Sequence, residues 1–63
     1  MKIEFMATCY ESDGSRLQRD SVEVSTLEEA YDLIPIYKQS VQVAVFLWAI
    51  VRDGELVDCG KED

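Results

Sequence analysis

The sequence predicts an α+β domain of order ββαββ, a four-stranded antiparallel sheet of order 2-1-3-4 with one helix on one face. Three observations predict it. Residues 2–10 alternate apolar and polar side chains and lead into Asp13-Gly14, a hairpin signature. A capped, amphipathic stretch follows from Thr26. The run Val41 to Val51 (VQVAVFLWAIV) then carries a single polar side chain and leads into a second hairpin dipeptide, Asp53-Gly54.

Lys2 to Tyr10 set Ile3, Phe5, Ala7 and Cys9 on one side and Lys2, Glu4, Met6, Thr8 and Tyr10 on the other, the pattern of a half-buried strand. A two-residue type I′ turn at Asp13-Gly14 would oppose Glu11 to Arg16, Tyr10 to Leu17, Phe5 to Val22 and Ile3 to Val24. Opposite charges and apolar side chains then meet. The one repulsive pair is Glu4 with Glu23.

Thr26 is the expected N-cap, with Glu29 at N3 completing a capping box and Glu28 adding charge at the positive end of the helix dipole. Leu27, Ala30, Tyr31 and Ile34, extending to Tyr37 or Lys38, form the apolar stripe, and Glu28, Glu29 and Asp32 lie opposite. Pro35 removes a backbone donor, so the helix either stops near Leu33 or continues kinked through Tyr37.

In the second hairpin the expected partners are Arg52 with Glu55, Val51 with Leu56, Ile50 with Val57 and Trp48 with Cys59. The fourth strand is short, Glu55 to Cys59, and the tail Gly60 to Asp63 is expected to fray. Docking the strand that starts at Val41 beside the first strand gives the order 2-1-3-4, with the two most apolar strands central.

A chain of 63 residues is one domain, 1–63, close to the size at which burial barely offsets chain entropy. Its formal net charge of −7, from 13 Asp and Glu against 6 Lys and Arg, argues against direct nucleic-acid binding, which needs clustered cations. No apolar run reaches the ~18 residues of a membrane span, so a soluble, cytoplasmic protein that does not engage membranes is expected. Hydrophobic content of 48% is too high for a disordered acidic chain. With no histidine and no CxxC pair, neither a metal site nor a cofactor is expected, and Cys9 and Cys59 are read as reduced, buried thiols.

One helix can roof only one side of such a sheet. Ile3, Phe5, Val22 and Val24, with Val43, Val45, Leu47, Val51 and Leu56, are assigned to the helix side. Phe46, Trp48, Ile50, Val57, Met6, Tyr10 and Leu17 are left uncovered. Hiding Trp48 alone would contribute at most ~4–6 kcal/mol before ordering costs, which makes such a face an interaction surface.

Catalytic readings rank last. Cys9 and Cys59 have no histidine to act as base. Glu28, Glu29 and Asp32 read as solvated helix surface, and the two Asp-Gly pairs lack the DxDxDG ligand series of calcium loops. Tyr10, Tyr31, Tyr37, Phe46 and Trp48 lack the interleaved cations that base stacking needs. The expectation is a non-enzymatic protein-binding module that pairs with itself as a homodimer, binds a host protein with a basic site, or both. Its apolar contact would be Phe46, Trp48, Ile50, Val57, Tyr10 and Leu17, with Glu28, Glu29 and Asp32 as the acidic surface. Two alternatives are an acidic mimic that fills a nucleic-acid groove on another protein, and a small structural dimerisation domain. The stretch EVSTLEEAYDLI, Glu23 to Ile34, resembles the strand-to-helix segment of the small RNA-polymerase inhibitors of T7-type phages, in that segment alone. Size, acidity and the lack of catalytic signatures are compatible with a virus- or mobile-element-encoded inhibitor of a host enzyme or defence protein.

Overall fold

The computed structural model describes residues 1–39 and 43–63. Its elements are β1 (Ile3–Tyr10), β2 (Arg16–Val24), α1 (Leu27–Lys38), β3 (Val45–Arg52) and β4 (Glu55–Glu62). The strands form one antiparallel sheet of order β2-β1-β3-β4, and α1 packs on one face of it, which is the ββαββ architecture the sequence predicts. Val41 and Gln42, the expected start of the third strand, lie outside the described residues, and Val43 precedes the strand.

The first turn differs in detail. Glu11 N–H donates to the Ser15 carbonyl at 2.8 Å and Gly14 N–H to the Glu11 carbonyl at 3.0 Å, enclosing Ser12, Asp13 and Gly14. Only Gly14 takes a positive φ, +90°, so the loop is a β-turn closed by a left-handed glycine rather than type I′. The Asp13 carboxylate accepts from Ser15 N–H at 2.8 Å, which lowers its pKa. The longer loop pairs Tyr10 with Arg16, and a bulge at Leu17 then restores Cys9 with Gln18, Phe5 with Val22 and Ile3 with Val24. The expected pairing of Tyr10 with Leu17 is replaced.

The second turn is type I′, with Asp53 at φ 52° and Gly54 at φ 83°. Arg52 pairs with Glu55 and Val51 with Leu56 as expected. Past that point Val57 is an extra residue, so Ile50 meets Asp58, Ala49 meets Cys59 and Trp48 meets Gly60. The shift has a steric cause. A Cβ on the residue opposite Trp48 would lie 2.7 Å from the indole, so only glycine fits there. β4 therefore runs on to Glu62 instead of fraying after Cys59, and Lys38 Nζ holds its end to the helix by donating to Glu62 Oε1 at 3.2 Å.

Thr26 caps α1 through a bond from Glu29 N–H to Oγ1 at 3.1 Å, and Glu29 Oε2 accepts from Ser25 N–H at 3.1 Å, one residue before the usual reciprocal partner. Such a cap stabilises a helix by ~1 kcal/mol. Pro35 does not end the helix, which continues to Lys38. Pro35 and Ile36 face solvent, while Leu33, Ile34 and Tyr37 on either side are half-buried against the sheet and anchor both halves.

The core reverses the expected division of β3. Cys9 pairs with Phe46, Ala7 with Trp48 and Phe5 with Ile50, and directly opposed residues in an antiparallel ladder share a face. Phe46, Trp48 and Ile50 therefore lie under the helix together with Ile3, Phe5, Ala7 and Ala30, whereas Val45, Leu47, Ala49 and Val51 lie on the other side. Volume explains this arrangement. The helix contributes Ala30 to the buried centre and β1 contributes Ala7 and Cys9, leaving room that only aromatic rings fill. Phe5 stacks on Trp48 with ring centroids 6.5 Å apart, Tyr31 meets Trp48 edge-on at 6.1 Å, and Tyr37 lies 5.7 Å from Phe5 and 5.8 Å from Phe46. Burying these rings removes more apolar area from water than burying valines would.

Candidate interface on the open sheet face

The face turned away from α1 is built by the even-numbered residues of β1 and their partners on the other three strands. Four ranks cross the sheet from β2 to β4: Glu23, Glu4, Val51 and Leu56; Ser21, Met6, Ala49 and Cys59; Arg19, Thr8, Leu47 and Lys61; and Arg16, Tyr10 and Val45. Its middle is an apolar strip on β1 and β3, continued by Leu56, and the exposures of Leu56 (62%), Leu47 (44%) and Met6 (38%) show that nothing among the described residues covers it. Met6, Thr8, Arg19, Leu47 and Ala49 line a shallow groove of ≈ 220 Å³. That is smaller than the usual small-molecule pocket, roughly 300–1,000 Å³, and suits a single partner side chain.

The charges on this face are unevenly distributed. Arg16, Arg19 and Lys61 stand at one end, and Glu4 and Glu23, with Lys2 beside Glu4, at the other. Glu4 is buttressed by Lys2 Nζ at 3.8 Å and by Ser21 Oγ, which donates to it at 3.2 Å. No family model, curated protein or solved structure matches this chain.

Of the six residues expected to make the apolar contact, Phe46, Trp48 and Ile50 belong to the core, because the β1–β3 register turns them under the helix. Tyr10 is half-buried on the open face, and Leu17 and Val57 are bulge residues, each 37% exposed. Cys9 is buried as expected, but Cys59 is exposed, because the Val57 bulge sets it opposite Ala49 on the open side. Glu28, Glu29 and Asp32 are exposed on α1, with Glu29 engaged in the cap. Arg16, Arg19, Lys61, Leu47 and Val51 complete the surface. The first hairpin sets Arg19 opposite Thr8, but the side taken by Leu47, Val51 and Lys61 follows from the β1–β3 register, which no turn specifies.

On the helix side, carboxylates hold the aromatic layer in place. Asp20 accepts from Tyr37 Oη at 2.6 Å and from Gln18 Nε2 at 2.9 Å, and Asp58 accepts from Tyr31 Oη at 2.8 Å. Burial, and then the bond to Asp20, push the Tyr37 phenol above its ordinary pKa. The bond to Asp58 raises that of Tyr31, and burial followed by the nearby Asp20 charge raises the Cys9 thiol. These acids hold their protons more tightly in the folded chain than in the unfolded one. Their contribution is therefore complete below about pH 9 and is lost progressively as pH rises. Urea midpoints measured between pH 7 and 11 should fall above pH 9, with Cys9→Ala flattening the first part of the decline and Tyr37→Phe the part above about pH 10. A wild-type midpoint that stayed level to pH 11 would contradict this assignment.

Proposed function

We propose that this chain is a non-enzymatic protein-binding module and that its binding surface is the open sheet face. The supporting observation is the continuous apolar strip from Tyr10 and Val45 through Leu47 and Met6 to Val51 and Leu56, solvated in the single chain and flanked by charges on the edge strands. Fully hiding one leucine contributes ~1.5–3 kcal/mol, so a few such side chains meet a substantial share of the cost of association. A homodimer partner or a host protein, such as an enzyme that the module would inhibit, supplies the cover.

The acidic surface is the weaker candidate. Asp20 and Asp58 are tied to tyrosines, Glu62 to Lys38 and Glu29 to the helix cap, so Glu28, Asp32 and Glu55 remain the most available of the helix-side carboxylates. That favours the sheet face over imitation of a nucleic-acid backbone. The test is a photo-crosslinking residue placed at Leu47, compared with the same residue at Asp32, in the cells that make the protein. A protein adduct from Leu47 that is absent from Asp32 is expected. Adducts from Asp32 alone would transfer function to the acidic side, and none from Leu47 would overturn the sheet-face reading.

A further inference from the structure

We infer that the occupant of the open face is a second copy of this chain, seated in one defined orientation; the inference rests on the sheet-face reading above and names its partner. Two identical faces packed with their strands aligned can meet about a two-fold axis that runs either along the strands or across them. An axis along the strands lays β2 over β4, setting Arg19 against Lys61 and both glutamates against Val51 and Leu56. Both contacts are unfavourable, one by like charge and the other by pressing carboxylates against apolar side chains that offer them no donor.

An axis across the strands keeps β2 over β2 and reverses the ranks, which brings the charged ends and the aliphatic centre into complementary contact and sets no like charges together. Glu23 lies over Arg16, and Glu4 over the Tyr10 hydroxyl. Val51 covers Val45. Leu47 lies over Ala49, the position where the groove lined by Met6, Thr8 and Ala49 can take it. The arrangement is knob into hole twice over, with ion pairs at both ends. Four strands ~4.8 Å apart and eight residues long present roughly 500 Å² in projection, so two faces together reach about 1,000 Å², the lower bound for a specific interface. Dimerisation would leave both helix faces outward and exposed.

Cys59 provides a readout without any substitution. It is exposed on β4 of the same face, whereas Cys9 is sealed in the core. With a two-residue offset along the strand and ~10 Å between sheets, the two Cys59 residues of the dimer lie on the order of 12 Å apart. Sedimentation of the wild type should give a dimer, and a short bis-maleimide should join Cys59 to Cys59 in high yield. The doubly reversed variant Arg16→Glu/Arg19→Glu should dimerise about tenfold or more weakly, as should Glu4→Arg/Glu23→Arg, and an equimolar mixture of the two should recover pairing as a heterodimer. A wild-type chain that stays monomeric at roughly millimolar concentration, or a dimer that Cys59 cannot link, overturns self-pairing. If the chain is monomeric while the Leu47 crosslink falls on a different protein, self-pairing is overturned and the docking face stands. Absence of both the dimer and the crosslink removes both.

Discussion

Replacing Gly60 with alanine is expected to destabilise the domain by about 1–3 kcal/mol, read as a lower urea midpoint. At an ordinary strand position the same change stabilises, because glycine loses more chain entropy on folding than alanine does, by roughly 0.5–1 kcal/mol. The sign of the effect is therefore diagnostic. Here the added methyl would stand 2.7 Å from Trp48 Cζ2, 2.8 Å from Cε2 and 2.9 Å from Nε1. These atoms belong to a rigid ring held between Phe5 and Tyr31, so the indole cannot retreat without opening the aromatic layer. Shrinking the ring removes the conflict. In a Trp48→Leu background the alanine substitution should become neutral or favourable, a coupling that a double-mutant cycle measures directly. If Gly60→Ala raised the midpoint of the wild type, the close approach of Trp48 to β4 would be wrong.

The parts of this fold that could be read from sequence are those fixed by neighbours along the chain. Asp53-Gly54 makes its type I′ turn because both residues tolerate positive φ, and Thr26 caps the helix through an atom three residues away. The relation between β1 and β3 has no such local signal. They are joined through β2, the helix and a crossover, and a slip of one residue exchanges the two faces of β3 while leaving its composition unchanged. Phe46 and Trp48 could therefore be placed outside until the small residues Ala7 and Cys9 were seen opposite them. The bulge at Val57 was hidden for a related reason, because it answers a contact made at a distance, the indole over Gly60, whereas the bulge at Leu17 offsets the longer turn over Ser12, Asp13 and Gly14. The prediction of one uncovered sheet face survived the exchange, because it depends on there being one helix and four strands, whichever residues face out. The aromatic surface expected there is instead an aliphatic one with unevenly distributed charges.

Phe5→Ala is expected to unfold the protein at 25 °C. Phe5 is fully buried, lies between Val22 and Ile50 on the flanking strands, and touches the rings of Trp48 and Tyr37, so it joins β2, β3 and the helix to the central strand. Removing such a ring costs about 3–5 kcal/mol through lost transfer energy and the cavity left behind. A single domain of this size has roughly 5 kcal/mol or less to lose. The variant should show an unfolded far-ultraviolet spectrum and a solvent-exposed Trp48 emission before any denaturant is added. Leu47→Ala deletes a smaller apolar group from the next strand and from the opposite face, where the side chain is 44% exposed. Measured at dilutions where any dimer has dissociated, it should shift stability by no more than about 0.5 kcal/mol. The two substitutions together test which face of β3 belongs to the core, because a reversed β3 would leave Phe5 on β1 buried and would bury Leu47 beside it. If Leu47→Ala at high dilution were as damaging as Phe5→Ala, the open face would belong to the interior of the monomer, and no surface would remain there for a partner to cover.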